Sequence, residues 1–169
     1  MRPLLVLVGP PGAGKTTVGQ QVAERLGVAF RDTDQDVEQT AGKTVAEVFI
    51  DDGEQHFRLL EAAAVAAALS EHEGVLSLGG GAVLAPATRT LLAGHRVVLL
   101  DVDLPAASGR IGLNRDRPVL ALNPRATLKA LLEERMPLYL EVATRVVPTS
   151  GRTIVEVVDD VTQDLRSPT

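Results

Sequence analysis

Gly9-Pro10-Pro11-Gly12-Ala13-Gly14-Lys15-Thr16 matches G-x-x-x-x-G-K-[ST] at every fixed position, and its flanks decide the fold. Upstream, Leu4-Leu5-Val6-Leu7-Val8 is an unbroken apolar run, the pattern of a parallel strand buried on both faces. Downstream, Val18, Val22, Ala23 and Leu26 share one helical face, and Gly27 suits a C-terminal cap. The motif thus joins a strand to a helix. Its glycines let the backbone turn N–H groups toward an anion at the helix's positive end. The pattern predicts a phosphate-binding loop in which Lys15 reaches the β- and γ-phosphates of a nucleotide and Thr16 ligates Mg²⁺. A Gly-Pro turn ahead of an ordinary helix is the plainer alternative, and the agreement of pattern with context argues against it.

The 169 residues have the length of one domain, and a 45% hydrophobic content fits a globular protein with a sizeable core. Seventeen basic against 22 acidic residues give a net charge of -5, which disfavours a broad nucleic-acid footprint while leaving room for a local basic pocket. The expected partners are small molecules. With no cysteine, disulfides, thiol catalysis and thiolate metal sites are excluded. No signal, transit or membrane-spanning segment is visible, so a cytoplasmic location and no membrane partner are expected.

Along the chain, Val28-Ala29-Phe30 is a short strand ending at Arg31-Asp32-Thr33-Asp34, where α/β sheets bind ligands. A helical stretch runs to about Thr40 and Gly42 stops it. Thr44-x-x-Glu47 is a capping box for Val45 to Ile50, and Glu54 to Ser70 reads as a long Ala-rich helix. Val75 to Leu78 is a strand running into the loop Gly79-Gly80-Gly81. Pro86 to Ala93 is a helix, and Arg96 to Asp101 a buried strand. Residues 109–124 carry Gly, Asn, Asp and Pro without a sustained period and read as a long loop of the kind used as a lid. Pro124 to Arg135 is helical with Pro137 interrupting it, Arg145 to Val147 is the last strand, and Thr153-x-x-Glu156 caps the final helix. Strands alternating with helices predict a single doubly wound α/β domain.

Two aspartates compete for the role of metal partner to Thr16. Asp101 ends an apolar strand, whereas Asp32 is followed by Asp34, and one carboxylate for metal with another for a substrate hydroxyl would make a kinase site. Alternatively, Asp32 and Asp34 are an N-cap pair for the helix beginning at Gln35. Arg58, Arg117 and Arg135 are candidates to grip phosphate or carboxylate. Each has a plain alternative: Arg58 pairs with Glu54 or Glu61 on its own helix, Arg117 pairs near Asp116, and Arg135 bonds helix-end carbonyls. His56, His72 and His95 share no metal spacing and read as solvated surface; Phe49 and Phe57 read as core.

Together, the loop Gly9 to Thr16, Asp32-Thr33-Asp34, Phe57-Arg58, Ser77 to Ala82, Asp116-Arg117-Pro118 and Arg135-x-Pro137-Leu138-Tyr139 resemble shikimate kinase in order and spacing over nearly the whole chain. The resemblance implies a three-layer α/β/α P-loop kinase fold with a five-stranded parallel sheet and a lid. It implies transfer of the ATP γ-phosphate to the 3-hydroxyl of shikimate by a monomer, with Mg²⁺. Gly12, Ala13, Gly14, Lys15, Thr16 and Thr17 would hold ATP, joined by Arg110, Arg117 and Arg152. Asp34 would bind the hydroxyls and act as base, Arg58 and Arg135 would hold the carboxylate, and Gly79, Gly80 and Gly81 would line the same subsite. Lys15 and Arg117 would neutralise the moving phosphate, and Asp32 would support Mg²⁺ with Thr16. Residues 109–116 and 148–153 match that family only loosely. A gluconate or nucleoside monophosphate kinase of the same fold, and a non-catalytic nucleotide switch, are the competing readings.

Overall fold

The apolar run ahead of the glycine-rich loop becomes β1, Leu5–Val8, and all four residues are buried because elements cover both faces of the strand. The remaining strands are β2 (Phe30–Asp32), β3 (Val75–Ser77), β4 (Val97–Asp101) and β5 (Arg145–Pro148). In the computed structural model, which describes residues 2–103 and 124–166, they form one parallel sheet in the order β2-β3-β1-β4-β5. Leu7 and Asp32 both pair with Ser77, and Val8 pairs with Leu99, so the register brings the C-terminal ends of β1, β2 and β3 to one edge. The loops leaving that edge carry the site.

The helices are α1 (Lys15–Leu26), α2 (Thr33–Ala41), α3 (Val45–Asp52), α4 (Glu54–Glu71), α5 (Pro86–Leu92), α6 (Pro124–Val142) and α7 (Ile154–Arg166). Leu5, Leu7, Val98 and Leu100 turn to one face of the sheet and pack with Val18 and Val22 of α1 and Val158 and Val161 of α7. Val6, Val8, Leu76 and Leu99 turn to the other, against Val65 and Leu69 of α4, Leu92 of α5 and Tyr139 of α6. This is the expected three-layer arrangement. Among the described residues no helix is long and apolar enough to cross a membrane.

Local chemistry sets most boundaries. Gly27 caps α1 in the left-handed region at φ 69°, and Val28 donates to Ala23 O at 2.9 Å, so Val28 is spent on the helix end and β2 starts at Phe30 instead. The Thr44–Glu47 capping box forms as expected. The interruption at Pro137 does not occur: α6 continues through it to Val142. A mid-helix proline forfeits one backbone bond and crowds the preceding turn. Pro137 faces solvent while Met136, Leu138, Tyr139 and Val142 pack on the core, and that burial outweighs the loss. His56 is exposed as expected, but His72 Nε2 lies 3.0 Å from Val75 O, and His95 Nδ1 is buried without a partner among the described residues. Solvated surface therefore describes only the first. Of the lid expected over 109–124, residues 109–123, with Arg110 and Arg117, lie outside the described residues, and Pro124 begins α6.

Candidate active site

The loop after β1 is shaped by contacts that exclude side chains. A Cβ at Gly9 would lie 2.6 Å from the Leu100 carbonyl oxygen. Gly12 and Gly14 have φ of 82° and 88°, and Gly14 is the N-cap of α1. Ala13 is buried and donates its N–H to Pro10 O at 3.2 Å, closing the turn. Lys15 Nζ donates to Gly9 O at 2.7 Å and Pro10 O at 3.1 Å, which holds its charge at the loop's mouth. Thr16 and Thr17 follow in the first turn of α1, where N–H groups and the helix dipole favour an anion.

The structure separates the two aspartates. Thr16 Oγ1 donates to Asp32 Oδ2 at 3.2 Å, whereas Asp101 is joined through its backbone oxygen to Thr149 N and Oγ1. Asp32 is also the N-cap of α2, accepting from Asp34 N at 2.9 Å, so α2 begins at Thr33 rather than Gln35. Capping and facing Thr16 are compatible, since each carboxylate oxygen serves one. Burial, and then the charge of Asp34, push the Asp32 carboxyl above its usual range against the opposing bonds from Asp34 N–H and Thr16 and the charge of Lys15.

A side chain at any of the three glycines after β3 would crowd its neighbours. A Cβ at Gly79 would lie 2.6 Å from Asp34 Oδ1 and 2.8 Å from Glu61 Oε2; one at Gly80 would lie 3.1 Å from Pro11 Cδ; one at Gly81 would lie 2.6 Å from Arg58 Cζ. These glycines therefore pack between the phosphate-loop proline and the charged groups of α2 and α4. Thr33, fully buried, accepts from Gly79 N–H at 3.3 Å.

Arg58 Nη1 donates to Glu61 Oε1 at 2.8 Å and Nη2 to Glu54 Oε1 at 3.3 Å, while its guanidinium lies 5.2 Å from the Phe57 ring centre and 5.9 Å from that of Phe49. The plain alternative for Arg58, pairing on its own helix, is thus true and does not remove it from the site. Arg135 is 6% exposed. Among the described residues, the Nε groups of Arg58 and Arg135 are buried and without a hydrogen-bond partner, two cationic donors suited to an anion. Phe57 is buried and stacks on Phe49 with ring centres 4.6 Å apart.

Glu61 is the residue of the site that the sequence reading missed, having named it only as a same-helix partner of Arg58. It is 3% exposed and faces Arg58, Arg135 and Asp34. Burial pushes its carboxyl up, the ion pair with Arg58 and the charge of Arg135 oppose this, Asp34 adds to it, and the net shift is upward. The available signal was its position three residues after Arg58 on a helix whose next residues are alanines. Arg152 is not drawn into this cluster: it donates to Pro148 O at 2.8 Å, Asp160 Oδ2 at 3.0 Å and Glu156 O at 3.3 Å, folding onto the turn before α7.

The cleft so described sets a phosphate loop beside a compact charged subsite, an arrangement suited to moving phosphate onto a small anionic acceptor. The shikimate kinase family matches residues 11–166. A shikimate kinase of Salinispora arenicola is 65% identical over 153 residues, covering 90% of this chain and 92% of its own. The solved shikimate kinase of Acinetobacter baumannii in complex with shikimate is 35% identical, with a TM-score of 0.92, over 98% of this chain and 93% of that one. A gluconokinase of Sinorhizobium meliloti, 22% identical with a TM-score of 0.60 over 95% of this chain and 90% of its own, shares the fold alone.

Proposed function

We propose, from the premise that this chain belongs to the shikimate kinase family, that the charged cluster around Gly79 to Gly81 is the acceptor subsite and the loop Gly9 to Thr16 the ATP subsite. The chain is an ATP-dependent kinase that phosphorylates shikimate. The observation that carries the assignment is the pair of buried guanidinium Nε groups without a partner among the described residues, on Arg58, whose guanidinium lies against Gly81, and on Arg135, whose charge acts on Glu61. They are the groups a carboxylate would satisfy, while Asp34 would orient the 3-hydroxyl and take its proton as the bond to the γ-phosphorus forms and the bond from that phosphorus to the β,γ-bridging oxygen breaks, releasing ADP. Gly80 and Gly81 would offer backbone N–H groups to the acceptor. Lys15 and the first turn of α1 would neutralise the phosphates; Arg110, Arg117 and Arg152 are proposed on the nucleotide side.

Mg²⁺, when bound, would supply charge neutralisation at the phosphates. Thr16 Oγ1 and Asp32 Oδ2, 3.2 Å apart, are hard oxygen ligands of the right kind. Among the described residues no group of three or more acidic or histidine side chains forms a protein-only metal cage, in keeping with an ion held chiefly by phosphate and water. The proposed working unit is a cytoplasmic monomer whose partners are shikimate and ATP, without nucleic acid or membrane; sedimentation at assay concentration tests the oligomeric state. A coupled assay offering shikimate, gluconate and AMP in parallel tests the substrate. Turnover is expected with shikimate, and preferential turnover of either alternative would overturn the assignment.

A further inference from the structure

Tyr139 has a role that neither the phosphate loop nor the charged cluster accounts for. Its ring is fully buried in the core cluster under α4 and α6, and its hydroxyl donates to the carbonyl oxygen of Gly80. Gly79 to Ala82 is a four-residue turn closed by Ala82 N–H to Gly79 O at 3.1 Å, and Gly81, at its third position, has φ -105° and ψ 5°. Those are type I values.

The central peptide of that turn carries the Gly80 carbonyl and the Gly81 N–H, which a planar trans bond points in opposite directions. Rotating this peptide by half a revolution would give a type II turn, which asks its third residue for positive φ. Most residues resist that change; glycine does not. With glycine at Gly81, local chemistry leaves the direction of the N–H open. The direction matters because the Gly80 and Gly81 N–H groups, in buried residues, donate to nothing among the described residues. Buried backbone donors ordinarily have partners, so this pair is suited to an incoming acceptor.

We propose that Tyr139 is a positioning residue for acceptor binding: by holding the Gly80 carbonyl it selects one orientation of the central peptide and aims the Gly81 N–H away from the core, toward the side where Arg58 and Asp34 stand. The inference rests on the reading of this cleft as the shikimate subsite. Tyr139 lies one helical turn beyond Arg135, so the same face of α6 supplies a guanidinium and the lock on the glycine turn.

Tyr139→Phe removes one oxygen and keeps the ring. The expected result is a rise in shikimate KM of about 5- to 30-fold, the span corresponding to one lost buried hydrogen bond, with the ATP KM unchanged. A crystal structure of the variant should show Gly81 shifted to positive φ. Val158→Ala, in the core on the opposite face of the sheet, is the control: it should lower Tm and leave the shikimate KM alone. An unchanged shikimate KM in Tyr139→Phe, a parallel rise in both KM values, or a turn that stays type I would overturn the proposal. Should the variant not fold, the parent protein decides: a Gly81 amide NMR signal unmoved by saturating shikimate would overturn it, and a displaced one supports it. A parent that fails to phosphorylate shikimate defeats the functional reading itself, whereas an active parent with an indistinguishable Tyr139→Phe defeats only this inference.

Discussion

At the scale of the residue, the site consists of charged groups that missing side chains admit to the backbone. Asp34 and Glu61 reach the backbone of Gly79 and Arg58 reaches that of Gly81 because neither glycine has a Cβ to keep them away. Asp34→Asn keeps the size and hydrogen bonding of the side chain but removes its charge. It should lower kcat by about 10²- to 10⁴-fold with ATP affinity little changed, and full kcat in steady-state assays would remove the base assignment. Arg58→Ala should act instead on shikimate, weakening it by about 2 to 5 kcal/mol by leaving a carboxylate short of a charged partner; an unchanged shikimate KM would sink that role. Glu61 contributes a pH dependence. Because burial raises its carboxyl in the folded state, the folded protein binds more protons than the unfolded chain between the usual glutamate range and the raised value. Stability therefore falls as pH rises through that window and is level above it. Urea unfolding at a series of pH values should show the parent losing stability relative to Glu61→Gln as pH rises; the opposite slope would mean that Arg58 and Arg135 prevail over burial.

At the scale of the element, α4 has two duties along its length. Its first turns carry Phe57, Arg58 and Glu61 toward the site, and its later turns carry Val65, Ala68 and Leu69 into the core. Phe57 serves both, packing with Val37 and Val48 while its ring lies 5.2 Å from the Arg58 guanidinium. Phe57→Ala should cost about 3 to 5 kcal/mol of stability and also raise the shikimate KM. Leu69→Ala, on the same helix, should cost about 2 to 5 kcal/mol and leave the KM unchanged. Denaturant titrations alongside kinetics separate the two, and a Phe57→Ala variant that is destabilised but kinetically normal would reduce the aromatic pair to core packing.

At the scale of the whole molecule, the proposed acceptor subsite draws on α2, α4, the loop after β3 and α6, so occupancy ties together segments far apart in sequence. A ligand that binds only the folded form adds about 2.7 kcal/mol at a hundred times its Kd. Shikimate at such a concentration should raise Tm, gluconate at the same concentration should not, and Arg58→Ala should require more shikimate for an equal shift. Equal thermal shifts from both compounds would argue that the subsite does not discriminate between them.

The sequence by itself determined what is decided within a few residues. The phosphate loop, the strand before it and the helix after it were legible because fixed glycines, an apolar run and a helical period act locally. So were the capping box at Thr44 and Glu47 and the stop at Gly42. Only the tertiary structure decided which aspartate meets Thr16: the sheet order sets β4, with Asp101, directly beside β1 and β2, with Asp32, one strand further away, yet it is the Asp32 carboxylate that comes within 3.2 Å of Thr16 Oγ1. It also decided that Glu61 is buried among two arginines and Asp34, that α6 runs through Pro137, and that the Tyr139 hydroxyl closes on Gly80. These outcomes depend on packing between segments distant in the chain, where burial and long-range contact outweigh local preference.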